Sequence, residues 1–158
     1  MTKQQVTLEY VTKGDSLEAI KSLFREYVQS LQLDLSFQDF ETELQALPGK
    51  YAPPEGVLIL ARVDGKPAGC IALRKLEEDV CEMKRLFVTE QSRGLQLGRQ
   101  LITQLLEEAK SRGYRVMRLD TLASLQAAVH LYRSFGFYEI DAYIYNPSEE
   151  AIYMEIQL

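Results

Sequence analysis

The sequence is short of the residues that staple or ligate. Of its 158 residues, two are cysteine and one is histidine. Cys70 and Cys81 both sit in apolar, strand-like runs, so no disulfide framework is expected and a reducing compartment is. One histidine and two scattered cysteines make no metal site, and no serine–histidine–acid pattern stands out. No apolar run approaches the length of a membrane span, and the opening MTKQQVTLEY has no apolar signal core. Basic residues are outnumbered as well. Lysine and arginine total 18 against 23 aspartates and glutamates, and the net charge of −5 argues against nucleic acid as the main partner. Repeats and low-complexity tracts are absent. Together these absences point to a soluble, cytoplasmic protein with neither membrane nor nucleic-acid partners.

What is present is ordinary globular composition, 46% hydrophobic and 26% charged, and a length that suits one domain over residues 1–158. Alternation at Val6, Leu8 and Tyr10 predicts a first strand. Gly14-Asp15-Ser16 caps a helix that carries Ile20, Leu23, Phe24, Tyr27, Val28 and Leu31 at helical spacing. A second helix is expected over 37–47, with Ser36 as its cap. Pro48, Gly49, Pro53, Pro54 and Gly56 make one long loop. Strands are expected over 57–63 and 68–73, with Asp64-Gly65 as a hairpin turn between them. Another strand covers 80–88, and an amphipathic helix covers 98–112 and stops at Gly113. A strand over 116–122, a helix over 124–135 ended by Gly136, and strands near 137–145 and 151–156 complete the chain. The order βααβββαβαββ predicts a mixed α/β sheet flanked by helices.

Two features carry chemistry. In 80–88 the apolar positions change phase: Cys81 and Met83 are odd, Leu86 and Val88 even. One extra residue near Lys84-Arg85, a β-bulge, explains the flip, and it would splay the strand from a neighbour. That strand then runs into Arg93-Gly94-Leu95-Gln96-Leu97-Gly98-Arg99, a turn opening a helix. Such a turn offers unpaired N–H groups and partial positive charge to a phosphate, with two guanidiniums beside it. The ending is not that of a P-loop, and the glycine spacing is not the dinucleotide fingerprint.

The turn resembles the acetyl-CoA loop of the GNAT N-acetyltransferases, read in that family as Gln/Arg-x-x-Gly-x-Gly/Ala; Gln96 stands where the first motif glycine is usual. Ala127 through Phe137 resembles the family's late Ala-x-x-x-Leu-Tyr-x-x-x-Gly-Phe motif. The first half, at Phe37-Gln38, Leu47-Pro48 and Tyr51, and the ending Tyr145-Asn146-Pro147 are similar to a bacterial-type group. The resemblance implies a GNAT-type acyl-CoA N-acyltransferase fold with a splayed, bulged strand. It implies acetyl transfer from acetyl-CoA, without a metal, to a small-molecule or peptide amine by direct attack, and it leaves room for a homodimer. The excess of acid is compatible with a cationic amine. A non-catalytic acyl-CoA-binding or regulatory module on the same fold is the rival reading.

Carried over residue by residue, the resemblance gives the cofactor the backbone of Leu86, Phe87 and Val88, and puts its pyrophosphate on the amides from Gly94 through Arg99. Tyr132 would protonate the departing sulfur. It also belongs to an apolar stripe with Leu125, Ala128 and Val129, so its ring packs whatever its hydroxyl does. Leu125 stands where many members have an asparagine; Ser124 is the polar neighbour. Glu82 occupies the position of the family's glutamate base, which would need a raised pKa. The alternative is a solvent-facing strand glutamate, paired with Lys84 or a cross-strand cation, with water as base. Tyr27, Tyr51 and Tyr145 are acceptor-side candidates. His130, off the Tyr132 stripe, is expected on the surface.

Overall fold

Val57-Leu58-Ile59-Leu60-Ala61 has no polar face, so a strand there must be covered on both sides. In the computed structural model, which describes residues 4–31 and 40–158, it is. The elements are β1 (Val6–Tyr10), α1 (Gly14–Leu31), α2 (Phe40–Ala46), β2 (Val57–Val63), β3 (Lys66–Glu77), β4 (Val80–Val88), α3 (Leu97–Ser111), β5 (Val116–Leu122), α4 (Gln126–Phe135), β6 (Tyr138–Ile140) and β7 (Ala151–Gln157). Their order is the one the sequence predicts. They form one sheet, β1-β2-β3-β4-β5-β7-β6, antiparallel except where β4 meets β5.

Period-two alternation sends successive side chains of each strand into two cores. Val57, Ile59, Ile71, Leu73, Met83, Met117 and Leu119 pack with Leu101, Ile102 and Leu105 of α3 and with Tyr132 of α4. Leu58, Leu60, Cys70 and Ala72 pack on the other face with Ile20 and Phe24 of α1, Leu44 of α2 and Tyr51. Gly136 ends α4 at φ +105°, a left-handed conformation that glycine adopts without penalty, and Phe137 then donates its N–H to the carbonyl of Tyr132.

Several boundaries differ from expectation. Strand β3 runs over Lys66–Glu77 rather than 68–73, because Arg74, Lys75 and Glu77 continue the ladder with Glu82, Cys81 and Val80 of β4. The start expected for α2 at Phe37, and its cap Ser36, lie outside the described residues. Helix α4 begins at Gln126 because Ser124 and Leu125 form the turn before it. Strand β6 ends at Ile140 rather than near 145. Beyond it Tyr143 reaches across the sheet to Glu82, Tyr153 binds the carbonyl of Ile144, and Pro147 has no N–H to donate to a ladder.

The bulge is present. Cys70 and Ala72 are two residues apart on β3, whereas their partners Phe87 and Lys84 are three apart on β4. Arg85 absorbs the extra residue at φ +59° and keeps its side chain on the α1/α2 face. There its Nε and Nη2 meet the two oxygens of Glu43, each at 3.1 Å, while the Cys70 thiol donates to its carbonyl. Both side chains are nearly sealed from solvent, at 4% and 7% exposure. Burial works to raise the Glu43 carboxyl, but Arg85, Lys50 and the Tyr51 hydroxyl outweigh it and hold its pKa below the usual range.

Glu43→Ala therefore removes the two-pronged carboxylate from a buried guanidinium, a loss on the scale of roughly 3–5 kcal/mol. Chemical denaturation should show it. A carboxyl whose folded pKa is depressed stabilises the fold above its ordinary value and stops doing so as pH falls through the lower one. The acid limb of the stability–pH curve should accordingly be flatter in Glu43→Ala than in the parent.

Candidate active site

Strands β4 and β5 are paired over three residues only, Val80 with Val116, Cys81 with Met117 and Glu82 with Arg118. Beyond that point β5 stays with β7 along its whole length, whereas β4 is turned away by its bulge. The two strands diverge into a cleft. Met83 through Leu86 form one wall and Leu119 through Leu122 the other. Tyr27 and Leu31 of α1, Leu125, Tyr132 and Asn146 complete it.

The turn expected to cradle phosphate lies where β4 leads into α3. A short 3-10 turn, Glu90–Ser92, is followed by Gly94 at φ +92° and Gln96 at φ +59°. Among the described residues, the N–H groups of Gly94 through Arg99 enter no hydrogen bond. Six consecutive donors at a helix start, without a side-chain cap, make an anion site by construction. Leu95 and Leu97 anchor the turn against Val63 and Ala68, and the Gln100 side chain braces the Leu95 carbonyl at 3.2 Å. Arg93 is exposed and unpaired among the described residues. Arg99 leans on α4, its guanidinium 5.0 Å from the Phe135 ring centre and 3.1 Å from the Ser134 hydroxyl. A Cβ on Gly98 would stand 3.1 Å from the Leu131 side chain, so α3 and α4 approach closely at the turn.

Gln96 shows how the chain departs from the glycine pattern without losing the turn. The backbone there is left-handed, the geometry a glycine would supply; glutamine holds it at a steric cost.

Tyr132 lines the cleft with its ring edge-on to Phe137, centres 5.8 Å apart. Its hydroxyl bonds to no described residue, and burial pushes its pKa above that of a free phenol. His130 is exposed, as expected.

Glu82 departs from expectation. It is fully buried and absent from the cleft wall. Its Oε1 accepts from Arg74 at 2.9 Å and its Oε2 from the Tyr143 hydroxyl at 2.7 Å. Burial acts to raise its pKa, but Lys84, Tyr143 and Arg74 together lower it, the reverse of what a base taking a proton from an ammonium needs. Arg74 is its cross-strand neighbour, so the expected pairing is present, but on a buried carboxylate rather than a solvent-facing one.

Of the acceptor-side tyrosines, Tyr27 lines the cleft and packs on Phe87 with ring centres 5.9 Å apart. Tyr51 is fully buried with its hydroxyl on Glu43 at 3.0 Å, and Tyr145 is 74% exposed. Sequence reasoning passed over the polar residues of the walls: Lys84, Arg85, Asp120 and Asn146. The signal was available in part. A bulge after Lys84 turns two consecutive cations to one face, and Asp120 is a lone acid in an otherwise apolar end of a strand.

The sequence profile described as the acetyltransferase (GNAT) family matches residues 17–137. An uncharacterised N-acetyltransferase of Schizosaccharomyces pombe is 38% identical over 160 residues, spanning 100% of this chain and 98% of that protein. An acetyltransferase structure from Streptococcus agalactiae superposes with a TM-score of 0.80 at 20% identity, covering 97% of this chain and 98% of the other. The PaiA N-acetyltransferase of Thermoplasma acidophilum, solved in complex with coenzyme A, gives 0.76 at 15% identity, covering 98% and 99%. At these identities the structural likenesses are of fold.

Gln96→Gly should relieve the left-handed backbone. The gain of about 1 kcal/mol or more for a non-glycine residue at that geometry is partly offset by the greater freedom of glycine in the unfolded chain. Thermal denaturation should show a melting temperature unchanged or raised by a few degrees. A clear drop would mean that the Gln96 side chain itself supports the turn.

Proposed function

The chain belongs to the acetyltransferase (GNAT) family, and from that premise we propose that its cleft moves an acetyl group from acetyl-CoA to an amine by direct attack. One observation carries this reading: six consecutive N–H groups at the start of α3 are unpaired among the described residues, and the strand that leads into them, β4, forms a wall of the cleft that Tyr132 also lines. The residues present fit the cosubstrate. The amides of Gly94 through Arg99 would take its pyrophosphate, with Arg93 alongside. The edge of β4 that has lost β5, at Leu86 through Val88, would pair with its pantetheine arm. When bound, acetyl-CoA supplies an activated acyl group as a thioester.

The chain's own part is to position, polarise and move protons. Backbone N–H groups past the bulge, at Phe87 or Val88, would polarise the acyl oxygen. The amine attacks as its neutral form. A carbon–nitrogen bond forms, the carbon–sulfur bond breaks, and the amine's surplus proton leaves to solvent in the cleft. Tyr132 donates its proton to the departing sulfur and regains one from water. Burial that raises the phenol also raises a thiol, as it does for Cys81, which is pushed up to about 12. Burial of Tyr132 therefore keeps its phenol protonated until the sulfur departs. Glu82 serves as a buried anchor that fixes Arg74 and Tyr143 by hydrogen bonds. Cys70 and Cys81 are buried and unbridged, which suits a reducing compartment such as the cytoplasm.

Gly98→Glu should abolish acetyl-CoA binding by calorimetry in a folded protein, because a carboxylate then occupies the anion site; unchanged affinity would remove the phosphate assignment. Tyr132→Phe keeps the ring, so affinity and melting temperature should hold. Turnover, followed as free-thiol release with a panel of amines, should fall ~10²–10⁴-fold; a two- or threefold loss would leave Tyr132 a packing residue. Binding without turnover across the panel would instead make this an acyl-CoA-binding module. The pH–rate profile of Glu82→Gln should keep the parent's shape, since the carboxylate does not reach the amine. A new loss at low pH would restore Glu82 as the base.

A further inference from the structure

The acids on the α1-facing side of the cleft are already matched. Glu43 takes Arg85 and Lys50, Glu82 takes Arg74 and Tyr143, and the Oδ2 of Asp120 accepts from Asn146 at 3.2 Å. Lys84 is left over. Its Nζ stands 4.0 Å from Glu82 Oε1 and 4.0 Å from Asp120 Oδ1, outside hydrogen-bonding range of both. Among the described residues nothing accepts any of its three N–H donors. The side chain is nevertheless 7% exposed, and it lines the cleft.

A buried ammonium with empty donors is costly. The two carboxylates at 4.0 Å offset part of its charge by attraction but leave the donors unsatisfied. An ammonium whose donors no described residue takes is best completed by an anion with lone pairs. Lys84 and Tyr132 line one cleft, so an anion that Lys84 receives belongs to the molecule that occupies that cleft.

We propose that the acceptor carries a carboxylate beside its amine, as an amino acid does, and that Lys84 receives that carboxylate. Asp120 Oδ1, which accepts no hydrogen bond among the described residues, faces Lys84 and supplies the opposite charge for the ammonium before it loses its proton. The bulge serves this arrangement. It turns Lys84 and Arg85 to the same face, so Arg85 can neutralise Glu43 while Lys84 stays free for a ligand. The inference rests on the acetyl-transfer reading and adds the acceptor's chemical class.

The test compares kcat/KM for α-amino acids with that for their decarboxylated amines and methyl esters, in the parent, Lys84→Met and Lys84→Arg. The parent should prefer the free acids. In Lys84→Met the ratio of acid to decarboxylated amine should fall about 10–100-fold, chiefly through KM, the usual scale for a charged hydrogen bond. Lys84→Arg should recover part of it. A parent that favours the decarboxylated amines, or a ratio that the methionine leaves unchanged, overturns the proposal. If Lys84→Met does not fold by circular dichroism, Lys84→Gln takes its place. Should no amine be acetylated, the acetyl-transfer reading fails separately, and calorimetry with des-amino carboxylic acids in the presence of coenzyme A decides. Binding to the parent that is lost in the variant sustains the carboxylate site, and no binding to the parent ends it.

Discussion

The buried pair of Arg85 and Glu43 is the constraint on which the site depends. A bulge inserts one residue into β4, and that residue sits in a backbone region that non-glycine residues enter only when their surroundings require it. Here the surroundings are a two-pronged ion pair to α2, reinforced by Lys50 and Tyr51 on the same carboxylate. Without the bulge, β4 would continue beside β5 and the cleft would close into ladder. The stability of α2 and the opening of the cleft are in this sense one property.

The second constraint is made of backbone. The turn before α3 presents N–H groups that no described residue claims, and side chains only fix its shape. Leu95 and Leu97 bury, Gly94 bends, and the Gln100 amide holds a carbonyl. This explains how Gln96 can stand at a position where the glycine-rich pattern has a glycine. The donors belong to the chain whatever the side chain, provided the backbone reaches the left-handed region. Tyr132 is different, because the role proposed for it depends on a side-chain hydroxyl that has no partner among the described residues.

Much of this was legible in the sequence, for physical reasons. Periodicity located the elements because each strand and helix has one or two buried faces. The phase flip at Lys84-Arg85 located the bulge because a single inserted residue reverses every later side chain. The glycines at 94, 98, 113 and 136 marked turns and helix ends. Less legible was anything set by partners distant in sequence. Glu82 was assigned from its place on the strand, yet its state is decided by Arg74 and Tyr143. Tyr51 looks like a cleft residue until Glu43, eight positions away, is seen to hold its hydroxyl in the core. Lys84 and Asp120 come together only when two strands that pair at their starts separate at their ends.

The sheet acts as a partition with a single gap. On one side α3 and α4 pack against Ile71, Met83 and Leu119; on the other α1 and α2 pack against Leu58, Cys70 and Ala72. The two cores share strands but not side chains, so substitutions confined to opposite sides should sum in their effects on stability. Such a partition lets one surface be remodelled while the other is kept. The turn and Tyr132 stand with the first core, whereas the charged wall of Lys84, Arg85 and Asp120 stands with the second. A change in what enters from the α1 side can accumulate without disturbing the backbone donors behind it.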